Sequence, residues 1–257
     1  MHKEPPISDV LIKAEEYFLP SVSIDNVIFG FHENQLKVLL LQLKKNNKWK
    51  LPGGFIFKNE EIEDAAARIL TTRTGLDKIF LQQFHVFGGS KRTPEQLVKE
   101  MFDIEEIKLS DHTNLLERYL TIGYYALVEY DKVKPHPDKL SIQCTWCELN
   151  NLPELLFDHR QIIEQALQAM RLQLNFQPIG YNLLPKEFTL KNIQSIYETI
   201  LGRKLDRSNF NRKILAYGIL EKKEKHFSGA AHKAPFLYSF NKKTYFKALQ
   251  NGLEKDF

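Results

Sequence analysis

Cationic and aromatic side chains in the first half of the chain have the chemistry of a ligand pocket. Guanidinium and ammonium groups donate hydrogen bonds to phosphates and sugar hydroxyls, and an aromatic ring offers a flat surface to another ring. The residues selected for this role are Lys50, Arg68, Arg73, Arg92 and Tyr124. Each of them also has an ordinary structural use in an ion pair or in the core, so both roles remain open.

A second group of polar side chains lies in the last third of the chain, around a helix predicted to begin after Asp206. With Phe210, Ile214 and Tyr217 on the apolar side of that helix, its other side faces outward. Arginine can bond guanine through two hydrogen bonds in the major groove, asparagine can do the same with adenine, and lysine suits phosphates. The residues expected to contact DNA are Lys204, Arg207, Ser208, Asn211, Arg212, Lys213, His232 and Lys233.

The net charge is unevenly distributed along the chain. Residues 185–257 hold 12 Lys and 3 Arg against 5 Glu and 2 Asp, a net charge of +8, whereas residues 1–184 carry −4. Opposite signs predict two domains with different partners, of which the second faces a polyanion. A basic surface that only faces solvent is the alternative.

Composition excludes several classes of protein. Of the 257 residues, 43% are apolar and 26% are charged, which is typical of a folded domain and excludes wholesale disorder. No apolar run approaches the roughly 18 residues that suggest a membrane helix. Two cysteines cannot form a disulfide framework. The composition therefore predicts a soluble, cytoplasmic protein without a membrane partner.

Strands and helices are predicted to interleave through the first part of the chain. The predicted strands are 21–31, 36–43, 79–87, 119–130 and 143–149, and the predicted helices are 61–74, 94–107 and 158–174. Interleaving of this kind indicates a layered α/β domain, over residues 15–175.

The pattern changes in residues 176–257, which are predicted to form a second domain. A helix capped by Thr189 extends through Leu201, a short turn follows, and Asp206 begins a second helix. A two-stranded ribbon ending in strand 236–240 completes the layout of a winged helix-turn-helix.

Residues 54–76 resemble the Nudix box. That motif reads Gly, five residues, Glu, seven residues, then Arg-Glu-apolar-x-Glu-Glu-x-Gly-apolar. The positions that match it are Gly54, Glu60, Arg68, Leu70, Gly75 and Leu76. The resemblance implies an α/β fold, a Nudix α/β/α sandwich with a mixed sheet, followed here by the small winged helix-turn-helix domain. It also implies that Arg68 pairs with a carboxylate to hold the box together.

The three carboxylates of the box are missing from this chain. Ile69, Thr72 and Arg73 stand in their places, and Mg²⁺ needs carboxylate oxygens. The sequence therefore predicts no catalytic residue, no metal site and no cofactor. A metal-dependent Nudix hydrolase that uses Glu60, Glu61, Glu63 or a carboxylate of the 94–116 insertion remains the alternative.

The whole chain is similar to the Nudix-related transcriptional regulators, through residues 122–128, 156–159, 178–185 and 201–210 beyond the box. The resemblance implies a dimeric repressor whose Nudix domain has lost catalysis and senses a small molecule. The expected partners are double-stranded DNA, a second copy of the chain, and an effector that is a pentose, a sugar phosphate or an ADP-ribose-like metabolite. A protein-interaction module without a role on nucleic acid is the third possibility.

Overall fold

The computed structural model describes residues 5–102, 117–174, 176–178, 180–181, 183–225 and 234–253. The chain divides into two compact units, Met1–Gly30 with Lys37–Ala166 and Phe31–Leu36 with Leu167–Phe257. The predicted domain limits, 15–175 and 176–257, stay predictions. Within the described residues, no helix is long and apolar enough to cross a membrane.

Helices and strands alternate in the first unit as the sequence predicts. Its elements are α1 (Ile7–Tyr17), β1 (Phe18–His32), β2 (Gln35–Leu43), β3 (Trp49–Lys50), β4 (Gly53–Phe57), α2 (Ile62–Thr74), β5 (Leu81–Phe87), α3 (Glu95–Phe102), β6 (Leu120–Val128), β7 (Ser141–Glu148) and α4 (His159–Gln173). The division between the two units falls within α4. The predicted helix 94–107 is described only as α3, because residues 103–116 lie outside the described part.

The strands of the first unit form one mixed sheet. Strands β3, β2, β1, β6 and β5 follow one another across it, β4 pairs with β1, and β7 pairs with β2. Strands β1 and β6 are parallel, whereas β5 runs antiparallel to β6 and β4 antiparallel to β1. Because β1 lies between β4 and β6, its residues stand at the centre of the sheet.

Helix α2 forms because apolar residues recur at helical spacing and glycine ends it. Ala65, Ala66 and Ile69 are buried against β1 and β4, and Gly75 takes a left-handed φ of 71° while its amide donates to the Thr71 carbonyl. The predicted helix over 61–74 is confirmed, beginning one residue later at Ile62.

The second unit contains the helix-turn-helix and its ribbon. Its elements are α5 (Leu190–Leu201), α6 (Arg207–Ala216), β8 (Leu220–Lys225), β9 (Phe236–Phe240) and α7 (Lys242–Asn251). Thr189 and Asn192 form a reciprocal capping box at the start of α5, and the Asp206 carboxylate accepts from the Asn209 amide at 2.8 Å at the start of α6. Both predicted caps are confirmed.

An aromatic cluster fixes the ribbon to the helices of the second unit. Phe188 exchanges two backbone hydrogen bonds with Tyr238 of β9, of 2.9 and 2.7 Å, which adds a short third strand to the ribbon. The Phe240 ring lies 4.8 Å from that of Phe188 and 4.9 Å from that of Tyr245 in α7, between ring centroids. These contacts set the direction in which β8 and β9 leave the helices.

Helices α1 and α7 were not predicted. The first ten residues of α7 hold three lysines and few apolar residues, and α1 follows a polar leader. Neither helix shows a strong periodic signal, and α7 is recognised by its Asn241 cap, whose side chain accepts from the Thr244 amide.

Candidate functional site

A cavity of about 210 Å³ opens in the first unit, beside the central strand β1. Four of the five predicted ligand-binding residues line it, namely Lys50, Arg68, Arg73 and Arg92. They come from β3, α2 and the loop before α3, so the fold brings together residues that the sequence selected by charge alone. What these cations can do depends on the groups that they already bind.

Arg92 is fixed by a dense set of hydrogen bonds. Its Nε and Nη2 donate to the two carboxylate oxygens of Asp158 at 2.9 and 2.8 Å, and its Nη1 donates to the Thr121 hydroxyl at 2.8 Å and the Tyr119 carbonyl at 3.0 Å. Only 4% of its side chain is exposed. Arg92 therefore holds the strand β6 and the start of α4 around the cavity.

Lys50 is paired with Asp138 across the cavity wall. Its Nζ donates to Oδ2 of Asp138 at 2.6 Å, and both side chains are nearly buried. Burial alone would raise the pKa of Asp138, but the charge and hydrogen bond of Lys50, with the Ser141 hydroxyl and the charge of Arg73, lower it to about 2. The pair is therefore ionised at neutral pH.

Arg68 lines the cavity but its guanidinium braces the box. Its Nε and Nη2 donate to the Glu60 carboxylate at 2.7 and 2.8 Å, and Nη2 also donates to the Phe55 carbonyl at 2.8 Å. This is the pairing that the family resemblance implies. The selection of Arg68 as a ligand donor is corrected accordingly, because these atoms position the loop between β4 and α2.

Tyr124 and Arg73 differ in where the structure places them. Tyr124 is 2% exposed, packs with Ile24 and Ala65 in the core, and is not among the residues that line the cavity. Its hydroxyl donates to Oε1 of Gln83 at 3.3 Å. The expectation that Tyr124 binds ligand is therefore corrected, whereas Arg73, 5% exposed, lies in the cavity wall.

Asp25 and His159 are cavity residues that the sequence analysis missed. Oδ2 of Asp25 lies 3.7 Å from Nε2 of His159 and 4.0 Å from Nη2 of Arg92. The Leu51 amide donates to Nδ1 of His159 at 3.1 Å, which assigns the imidazole proton to Nε2. Burial lowers the pKa of His159 to about 3, so this histidine is neutral at physiological pH.

The residues at the box positions do not fit Mg²⁺. Ile69 is 3% exposed and packs against Gly54, the Thr72 hydroxyl donates to the Arg68 carbonyl at 2.7 Å, and Arg73 is a cation. Glu60 is bound by Arg68, and Glu61 and Glu63 are exposed at the start of α2. In the described parts of the chain, no group of three His, Cys, Asp or Glu side chains is placed to hold a metal.

Helix α6 presents most of the predicted DNA-contacting residues to solvent. Arg207, Ser208, Arg212 and Lys213 are exposed, whereas Ile214 is buried against the rest of the unit. Nη2 of Arg212 donates to Oδ1 of Asn209 at 3.0 Å, one turn earlier. This contact holds the guanidinium along the exposed face of the helix.

Two other predicted DNA contacts differ from expectation. The amide oxygen of Asn211 is buried, so bidentate contact with adenine is not open to it in this conformation. Lys204 is exposed, but its Nζ donates to Oε2 of Glu198 at 2.8 Å, and Glu198 also accepts from the Leu205 amide. Glu198 thus orders the turn between α5 and α6. His232 and Lys233 lie outside the described residues.

Comparisons with known proteins agree with this architecture. The NUDIX domain profile matches residues 20–168, and the profile of the NrtR DNA-binding winged helix domain matches residues 180–240. The crystal structure of Shewanella oneidensis NrtR complexed with a 27mer DNA has a TM-score of 0.67 and 25% identity, over 91% of this chain and 99% of that chain.

Two characterised proteins are similar in sequence. The ADPR responsive transcriptional repressor NtrR of Acinetobacter baylyi is 28% identical, over 90% of this chain and 86% of its own. The ADP-ribose pyrophosphatase of Methanocaldococcus jannaschii is 28% identical, over 62% of this chain and 79% of its own. The chain belongs to the Nudix family and, with its NrtR-type winged helix domain, is a Nudix-related transcriptional regulator.

Proposed function

We propose that this protein is a cytoplasmic repressor that binds DNA through α6 and the ribbon and is released by a metabolite bound in the Nudix cavity. The observation that carries the proposal is the exposed pair Arg207 and Arg212 on the second helix of a helix-turn-helix, in a part of the chain with a net charge of +8. Two copies would present two such helices to half-sites about one helical turn apart, or a multiple of it, so we propose a homodimer.

ADP-ribose is the first candidate for the effector. The similar Acinetobacter baylyi repressor is described as responsive to it. A free pentose and a sugar phosphate are the other candidates, because they share the sugar ring. Any effector acts only to the extent that its affinity differs between the DNA-binding conformation and the released one.

The DNA-binding half of the proposal predicts a steep dependence of affinity on salt. Neutralised phosphates release counterions, so the logarithm of the association constant should fall linearly with the logarithm of the salt concentration, by about 0.9 for each phosphate contact. Fluorescence anisotropy with a labelled duplex, at a series of potassium chloride concentrations, measures the slope. Affinity that does not change with salt would remove nucleic acid as the partner.

A metal-dependent hydrolase is the second candidate function, favoured by the similarity to the Methanocaldococcus jannaschii pyrophosphatase. The side chains at 69, 72 and 73 disfavour it, because they offer Mg²⁺ no carboxylate. We expect no turnover of ADP-ribose, NADH or nucleotide sugars with Mg²⁺ or Mn²⁺. Robust turnover that is lost in Glu60→Gln would reverse this conclusion, since Glu60 would then serve the metal in addition to Arg68.

A further inference from the structure

Asp25 is an acidic residue at the centre of an otherwise apolar strand, and the fold leaves space for it. It lies on β1 in register with Gly53 of β4, is 7% exposed, and lines the cavity. A side chain at position 53 would collide with Oδ1 of Asp25. Glycine at this position therefore keeps the carboxylate at the cavity surface.

The charged neighbours of Asp25 lie beyond hydrogen-bonding distance. Nε2 of His159 is 3.7 Å away and Nη2 of Arg92 is 4.0 Å away, and Arg92 already makes a bidentate pair with Asp158. Burial raises the pKa of Asp25 to about 6, partly offset by the charge of Arg92. The carboxylate is thus largely ionised at neutral pH and faces the cavity.

The rest of the cavity favours a neutral, hydroxyl-bearing group over a phosphate at this point. Three of its cations are paired with carboxylates, Lys50 with Asp138, Arg68 with Glu60 and Arg92 with Asp158. A phosphate next to Asp25 would meet a like charge in a buried place. Hydroxyl groups, in contrast, donate to a carboxylate and gain a charge-assisted hydrogen bond.

Aromatic rings supply the apolar side of the same cavity. The rings of Phe18 and Phe55 lie 5.3 Å apart and those of Phe55 and Tyr119 lie 5.4 Å apart, and all three line it. A sugar ring has an apolar face of C–H groups and an edge of hydroxyls, which match such a wall and such a carboxylate. At about 210 Å³, the cavity is smaller than the roughly 300–1,000 Å³ that enclose a drug-sized ligand.

We propose that Asp25 is a specificity-determining residue that accepts hydrogen bonds from adjacent hydroxyl groups of a sugar ring held in this cavity. The inference deepens the proposed function and rests on it. The ring belongs either to a free pentose or to the terminal ribose of ADP-ribose, which present the same chemistry. A ligand without adjacent hydroxyl groups does not satisfy the carboxylate.

Effector binding through Asp25 depends on pH. Hydroxyl donors stabilise the ionised carboxylate, so bound ligand lowers its pKa and affinity falls as pH falls through the value in the free protein, about 6. The other groups facing Asp25 are Lys50, Arg92, Asp158 and His159. The pKa of His159 is about 3, outside this range. A neutral pentose does not itself titrate there.

The test is isothermal titration calorimetry of the full chain with L-arabinose, D-ribose and ADP-ribose, at about pH 7.5 and about pH 5. For the sugar that binds, we expect roughly tenfold weaker affinity at the lower pH. Asp25→Asn keeps the shape and should weaken binding roughly 10- to 100-fold at the higher pH while abolishing the pH dependence. Glu129→Gln, which alters an exposed pair with Lys132, is the matched control and should behave like the wild type.

The outcomes separate the inference from the proposed function. Binding that does not change with pH and is unaffected by Asp25→Asn overturns the role of Asp25 and leaves the repressor intact. Absence of binding by all three probes overturns the sugar-ring effector and the inference together. Gly53→Ala provides a second variant, in which a displaced carboxylate should weaken the same ligand without removing the charge.

Discussion

Replacement of Asp158 by Ala is expected to lower the free energy of unfolding of the first unit by about 3–5 kcal/mol, because it leaves a buried guanidinium without its carboxylate. Arg92 is 4% exposed and makes two of its hydrogen bonds to Asp158. Neither Thr121 nor the Tyr119 carbonyl carries a charge that would replace it. The same change should also weaken effector binding, since Arg92 and the start of α4 form part of the cavity wall.

Tryptophan fluorescence during urea denaturation measures this loss selectively. The chain has two tryptophans, and both Trp49 and Trp146 belong to the first unit. The matched control is Glu129→Ala, which removes an exposed pair with Lys132 and should cost at most ~1 kcal/mol. A loss of similar size in both variants would mean that the Arg92–Asp158 pair does not hold the cavity wall.

Replacement of Arg212 by Ala is expected to weaken specific DNA binding by about 1–3 kcal/mol, which is the range for an arginine that reads a guanine. Arg212 is exposed on α6, and its contact with Asn209 directs the guanidinium along the helix surface. The loss should appear on the operator and be small on unrelated DNA. Binding isotherms on both duplexes, at one salt concentration, measure it.

Lys213→Ala is the matched control for Arg212, since the two exposed residues are neighbours on the same helix. A phosphate contact carries no sequence information, so this variant should weaken both duplexes alike and reduce the salt slope by about 1. An Arg212 variant with unchanged operator affinity would exclude this residue from base recognition.

The fold was predictable where the signals are local. Helix α2 is specified by its apolar spacing and by Gly75, and the two helices of the winged domain are specified by the Thr189 and Asp206 caps. Helix α7 lacks such a pattern, because lysines occupy much of its first turn and its stability comes from packing of Tyr245 in the aromatic cluster.

The cavity was only partly predictable because its chemistry depends on distant pairs. Lys50 and Asp138 are 88 residues apart in sequence, and Arg92 and Asp158 are 66 apart. Charge alone selected the cations but did not reveal that each has a carboxylate partner. Asp25 gave no signal, since a lone acidic residue in a strand is usually on its solvent-facing side.

The retained and altered positions of the box show which part of the motif is structural here. Arg68 and Glu60 still brace the loop before α2, and Gly75 still ends the helix. Ile69 and Thr72 have become packing and helix-bonding residues at positions that would otherwise bind metal. The scaffold of a phosphate-hydrolysing site therefore persists around a cavity whose residues favour binding without catalysis.

The measurement that tests the central claim most directly is binding of the purified protein to the DNA upstream of its own gene, beside an unrelated fragment of equal length, with ADP-ribose, L-arabinose and other pentoses added in turn. The account predicts tighter binding to the upstream DNA and its release by one of these metabolites. Weak and equal binding to both fragments, abolished by modest salt and unaffected by every metabolite, would contradict it.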